Sequence, residues 1–154
     1  MKLETLFTAE EQQILDRIAA EIQQSHQRPA TPNLEKKLQR WATAVTRIEA
    51  GYRWPSYEYQ NDVGPRDFLQ EVFNATPPSV QTKLTAVMKP WDDRFIASTQ
   101  DAPAILELTP PLAGAYWYLR VPRKLAGSPD VLDDWAVYYD GPELPASAEF
   151  FIDW

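Results

Sequence analysis

Apolar positions in the first 99 residues recur at three- and four-residue steps, the spacing of one helix face. Ile14, Leu15, Ile18, Ala19 and Ile22 mark a first helix. Thr8 precedes Glu11 by three residues, a capping box in which each side chain satisfies a backbone N–H of the other's residue. The polar run Ser25–Ala30 closes that helix before Pro29. A second helix is expected to open with Thr31 as N-cap and Pro32 at its first position, where a missing N–H costs nothing. Its stripe is Leu34, Leu38, Trp41, Val45 and Ile48, and Gly51 suits the left-handed residue that ends it. Two helices with a short connection most simply form an antiparallel hairpin.

Tyr52–Val63, aromatic and polar and broken by Pro55, reads as a loop. Gly64-Pro65 then starts a short third helix carrying Phe68, Leu69, Val72 and Phe73. Thr76-Pro77-Pro78 opens a fourth, with Val80, Leu84, Val87, Met88, Trp91 and Phe95 on one stripe. The stripe keeps its register across Pro90, which favours one kinked helix over a break. Trp41, Leu38, Leu84, Met88 and Trp91 are the expected core.

Beyond Thr99 the pattern changes, and seven prolines punctuate the chain from Pro103 to Pro145. Ala104–Leu108 and Ala115–Val121 read as short extended segments bounded by Pro and Gly. Asp130–Trp135 begins a helical turn with Asp130 as cap, whereas Trp135–Tyr139 reads equally well as a strand. Asp140-Gly141 is a turn, and Glu149–Asp153 a terminal strand. The expected fold class is mainly α, in the α+β sense. A helical body of about four helices (1–99) carries a Pro-rich, largely extended C-terminal region (100–154) with room for a small sheet. All 154 residues fit a single domain.

Charge changes the picture. Residues 1–124 hold 15 acidic and 15 basic side chains, so the net −7 resides wholly in Leu125–Trp154. That segment carries Asp130, Asp133, Asp134, Asp140, Glu143, Glu149 and Asp153 among Trp135, Tyr138, Tyr139, Phe150, Phe151 and Trp154, with no basic residue. Acids with large aromatics suit a basic protein partner, the acids steering encounter and the rings anchoring contact. Asp130, Asp133, Asp134, Trp135, Tyr138, Tyr139 and Asp140 are therefore the candidate partner-binding residues. The alternative is internal docking on the basic-aromatic patch Trp117, Tyr118, Arg120, Arg123 and Lys124. A chain of negative net charge without a basic block argues against a nucleic-acid partner. No apolar run approaches the roughly 18 residues of a membrane span, and the N-terminus lacks a signal-peptide h-region, so a cytoplasmic protein is expected.

Candidate chemistry is sparse. The absence of Cys removes disulfides, thiolate nucleophiles and cysteine metal sites. The lone His26, in a polar stretch, is expected to be exposed and non-catalytic. All five glycines stand singly, so no phosphate-cradling loop exists. Asp92-Asp93 suits pairing with Arg94 or Lys89 on a solvated helix face. Asp130, Asp133 and Asp134 share one side of a helix, and carboxylates so placed can hold a hard cation, but no calcium-loop spacing accompanies them. No cofactor, metal site or catalytic residue is assigned.

Pro65-Arg66-Asp67-Phe68-Leu69-Gln70-Glu71-Val72, then Pro77-Pro78, then Pro90-Trp91-Asp92-Asp93-Arg94-Phe95 resembles a pattern in small, uncharacterised bacterial proteins, over about 30 of the 154 residues. The build is also similar in type to immunity proteins of bacterial toxin systems, which are small, acidic and non-catalytic. That likeness implies a bacterial inhibitor occluding a basic toxin or enzyme surface. Two further readings stand beside it: a structural or assembly subunit, for which a homodimer is the simplest form, and a divalent-metal-dependent hydrolase using Asp130, Asp133 and Asp134.

Overall fold

The computed structural model describes residues 5–27, 33–101, 120–136 and 149–152. Four helices form the body: α1 (Ala9–Ser25), α2 (Leu34–Glu49), α3 (Ser56–Ala75) and α4 (Pro78–Ser98). They are followed by β1 (Thr99–Asp101), β2 (Arg120–Pro122), β3 (Lys124–Gly127), α5 (Pro129–Ala136) and β4 (Glu149–Ile152). The chain is mainly α with a little β, as its pattern predicts.

The capping box at α1 forms as expected. Glu11 N donates to Thr8 Oγ1 (3.2 Å) and Thr8 N donates to Glu11 Oε2 (3.0 Å). Glu11 also receives Lys83 Nζ from α4 at 2.6 Å, tying the start of α1 to the body. Past its other end His26 Nε2 meets the Glu71 carboxylate of α3 at 3.0 Å. The expected α1–α2 hairpin is a minor contact: α1 packs more on α3, while α2 packs most extensively on α3 and α4. The strong, continuous apolar stripe of α2 explains this, since it can be covered only by two neighbours. Leu34, Leu38, Trp41, Ala44, Val45 and Ile48 are all buried.

Asn33, not Thr31, caps α2, its Oδ1 accepting from Lys36 N at 2.9 Å. Asparagine is at least as good an N-cap as threonine, and it stands directly before the first buried leucine. Thr31 and Pro32 lie outside the described residues. Gly51 follows α2 at φ +101°, as its position suggests. A Cβ there would also approach Lys124 Cγ to 3.3 Å.

The largest departure from expectation is α3. Ser56–Ala75 is one 20-residue helix, with Pro65 inside it rather than at its start. Proline removes one backbone bond and crowds the preceding turn, at roughly 3 kcal/mol. Against that cost, the longer helix adds Tyr59 and Val63 to the burial of Phe68, Leu69 and Val72, each worth roughly 1.5–3 kcal/mol when fully buried. The carbonyl that Pro65 releases belongs to Asn61, which is exposed and open to water. The same holds in α4, which runs unbroken through Pro90: Ala86, four residues earlier, is exposed. Val80, Leu84, Val87, Met88 and Phe95 are buried along α4, and Trp91 is partly buried against the core. The Trp41 and Phe95 rings meet at 5.0 Å, tilted by 49°.

β1 pairs antiparallel with β2, Gln100 opposite Val121. β3 pairs in parallel with β4, Leu125 opposite Phe150. On its other side β3 bridges the segment after α2: Tyr52 N donates to Lys124 O and Ala126 N to Tyr52 O, both at 2.9 Å. β3 thus stitches the C-terminal strand to the helical body. The expected extended segments Ala104–Leu108 and Ala115–Val121 lie outside the described residues, apart from Arg120 and Val121 in β2. Among the described residues no helix is long and apolar enough to cross a membrane.

Candidate partner-binding face

α5 is a complete short helix, so Trp135 is helical and the strand alternative for it falls away. Ser128, not Asp130, stands before it: Leu132 N donates to Ser128 O (3.1 Å), and Pro129 occupies the first helical position. Asp130 lies in the first turn, where a carboxylate is favoured by the helix dipole.

Trp135 is in the core, not on the surface, with only 1% exposure. Its ring packs edge-on against Tyr59 (5.2 Å) and Tyr52 (5.8 Å), and Nε1 donates to Trp54 O at 2.8 Å. Two buried tyrosines that each satisfy their hydroxyl make this pocket available to an indole. Tyr59 Oη donates to Arg120 O and Tyr52 Oη to Asp62 Oδ2, both at 2.7 Å. Burial and then the Asp62 contact push the Tyr52 phenol far above its ordinary range, so it remains a donor. The largest ring of the candidate set is therefore spent on docking α5.

Asp134 is also partly committed. Its Oδ2 accepts from Ser56 N at 2.7 Å, across 78 residues. α3 begins after Pro55, which has no side chain able to cap, and Asp134 supplies the missing acceptor from another helix. Asp130 and Asp133 are exposed. Next to the bonded pair stands Tyr57, 64% exposed and the most exposed large apolar side chain among the described residues. Trp54, three residues earlier, is partly buried, with the Arg47 guanidinium 4.6 Å from its ring centre. The exposed members are thus Asp130 and Asp133 of α5 and Tyr57 in the first turn of α3, which Asp134 ties to α5. Tyr138, Tyr139 and Asp140 lie outside the described residues.

The basic patch is divided between two strands. Arg120 is consumed at the C-terminal end of α4: it donates to Asp101 Oδ1 (2.9 Å), Thr99 Oγ1 (2.8 Å) and the carbonyls of Ile96 and Thr99 (3.1 Å each). Lys124 enters β3, whose pairing with β4 joins the terminal segment by backbone bonds. Trp117 and Tyr118 lie outside the described residues.

Pattern reading missed a second polar centre. Asp92 does not sit on a solvated face with Lys89 or Arg94. Its carboxylate accepts two bonds from Arg66, Nε to Oδ1 and Nη2 to Oδ2, each 2.9 Å, and a third from Trp41 Nε1 at 2.9 Å. Arg66 is 4% exposed. Asp93 behaves as expected and pairs with Lys89 at 2.8 Å, while Arg94 pairs with Glu49. The signal was available: Arg66 falls between Val63 and Leu69 on the apolar side of α3, and Asp92 between Met88 and Phe95 on that of α4. An open groove of about 230 Å³ between α3 and α4 passes this centre, lined also by Phe73, Met88 and Ile96. Its four charged groups are matched as Arg66–Asp92 and Lys89–Asp93, so it offers no unbalanced charge to a ligand.

Among the described residues no three His, Asp or Glu side chains gather as metal ligands. No protein-family model, curated protein or solved structure matches this chain.

Proposed function

We propose that this chain is a non-enzymatic protein-binding module that covers a basic surface with the acidic-aromatic face around α5. The observation that carries the reading is that Asp130, Asp133 and Tyr57 are all exposed, on two helices joined by the Asp134–Ser56 bond. Two unburied carboxylates give long-range attraction and register, and an exposed tyrosine is a frequent centre of binding energy. In this reading Tyr57 takes the anchoring role first expected of Trp135. An immunity-type inhibitor of a bacterial toxin, acting in the cytoplasm by occlusion, is the specific form we favour.

The test is association with a basic protein partner, using a cationic ribonuclease as probe together with the products of the neighbouring reading frames. Binding should weaken as salt rises, because exposed charges are screened over about 8 Å at physiological ionic strength. Asp130→Lys with Asp133→Lys should slow association, whereas Tyr57→Ala should speed dissociation. Salt-independent binding, or rates unchanged by all three substitutions, would remove this face as a recognition surface.

A further inference from the structure

α2 carries an unexpected charge pattern for so acidic a chain. Lys36, Arg40, Thr43 and Arg47 stand at steps of four, three and four, and all four are exposed. They form one stripe, roughly 16 Å long at 1.5 Å per residue. Glu35 and Glu49, the acids of α2, are at its two ends, and Glu49 pairs with Arg94. None of the ion pairs among the described residues uses Lys36 or Arg40.

This arrangement opposes the helix that bears it. Lys36 and Arg40 are like charges one turn apart, which disfavours a helix. Both also lie in its first two turns, near the positive end of its dipole. Asp62 of α3 pairs with Arg47 at 3.4 Å, so the cations left for an outside partner are Lys36 and Arg40. Such a face calls for carboxylates from outside.

The stripe adjoins the acidic face. Arg47, at its C-terminal end, stacks on Trp54, whose carbonyl accepts from Trp135 of α5. Moving along the surface, one passes from the cations Lys36 and Arg40, past Arg47 (paired with Asp62), the partly buried Trp54 and the exposed Tyr57, to the exposed carboxylates Asp130 and Asp133. A patch with a basic arm, an aromatic middle and an acidic arm is complementary to itself under a two-fold rotation.

We propose that this chain forms a two-fold homodimer, the α2 stripe of each copy lying against α5 of the other, with Tyr57 near the axis. The two contacts are reciprocal, so each basic arm meets an acidic arm. Repulsion between two copies of net −7 acts at longer range and is screened by salt, while the matched arms act at contact. A second copy and a basic partner then compete for Asp130 and Asp133. The dimer itself needs no partner, so its test is independent of the proposed function.

The experiment is the mass of the full chain in solution by light scattering and sedimentation, at low and at physiological salt. The wild type should be dimeric. Lys36→Glu with Arg40→Glu should raise the dimer dissociation constant at least about tenfold, and Asp130→Lys with Asp133→Lys should do the same. Mixing these two variants should restore dimers, because both contacts in the mixed pair are again between opposite charges. Helical signal and melting temperature confirm that each variant is folded. Lys36→Gln with Arg40→Gln gives the same direction without charge reversal. A wild type that is monomeric at both salts, or variants whose mixture does not dimerise, overturns the proposal. So does a monomer that binds a short oligonucleotide through Lys36 and Arg40, which would assign the stripe to phosphates.

Discussion

Two regions solve the same problem in different ways. In the helical body, Trp41 Nε1 and Arg66 converge on Asp92 and bind α2, α3 and α4 together. At the α5 junction, Trp135 Nε1 reaches Trp54 O and Asp134 reaches Ser56 N, binding α5 to the start of α3. Each uses a buried indole N–H and an aspartate to close a long sequence separation. In the body the carboxylate is balanced by a full positive charge that is itself 4% exposed. At the junction it is balanced by the partial charge of a helix N-terminus, with Asp134 exposed to water. Losing a member of the first centre strands a buried charge, whereas losing the second leaves a helix end that water can reach.

The largest effects should therefore fall in the body. Trp41→Ala should lower unfolding free energy by roughly 3–5 kcal/mol, through the cavity and the lost bond to Asp92. A denaturant melt showing under about 1 kcal/mol would place Trp41 outside the core. Arg66→Met should cost about 3–5 kcal/mol because Asp92 is left partly buried and uncompensated. The double variant Arg66→Met/Asp92→Leu should recover much of that loss, since an apolar replacement of a whole buried pair is often tolerated. A double variant no more stable than Arg66→Met would show that the pair contributes more than relief of its own burial.

At the junction the expected losses are smaller. Asp134→Ala should cost about 0.5–2 kcal/mol, the range for loss of an N-cap. Asp134→Asn should recover most of it, because an amide oxygen can still accept from Ser56 N. If alanine and asparagine are equally damaging, the charge rather than the cap is what docks α5. Asp133→Asn, one residue away and exposed, serves as the control and should leave the melting temperature within experimental error.

The contrast also shows what the chain makes legible before folding. The helical body follows from its stripes: the Thr8–Glu11 box, the α2 face from Leu34 to Ile48 and the unbroken register across Pro90 all appear as expected. Gly64-Pro65 looks like a helix start, so local punctuation hides the longer α3 that tertiary burial of Tyr59 and Val63 sustains. The candidate face was half legible. Acids and rings were visible in composition, but periodicity does not tell a docking tryptophan from an anchoring one. Trp135 goes inward because Tyr52 and Tyr59, more than 70 residues earlier, prepare a pocket for it. Tyr57 stays outward one residue from the Ser56 cap, which no local pattern reveals. Arg66 and Asp92 escaped notice because a polar residue on an apolar stripe is informative only once its partner's stripe is known to face it.

The smallest effect concerns the outer edge of the body, where Lys83 and the Thr8 backbone hold the Glu11 carboxyl below the ordinary carboxylate value of 4.5. A carboxyl whose folded value is depressed contributes stability that is fully present above its unfolded value. That contribution is lost as pH falls through the unfolded and then the folded value. Wild type should therefore lose melting temperature on acidification from about pH 7 to about pH 3 more steeply than Glu11→Gln. Glutamine keeps an acceptor for Thr8 N but has no charge to lose, so at neutral pH it should sit only slightly below wild type. Parallel acid limbs in the two proteins would show that the Lys83–Glu11 pair is too well hydrated to hold α1 against α4, and that packing of Leu15, Ile18 and Ala19 does so alone.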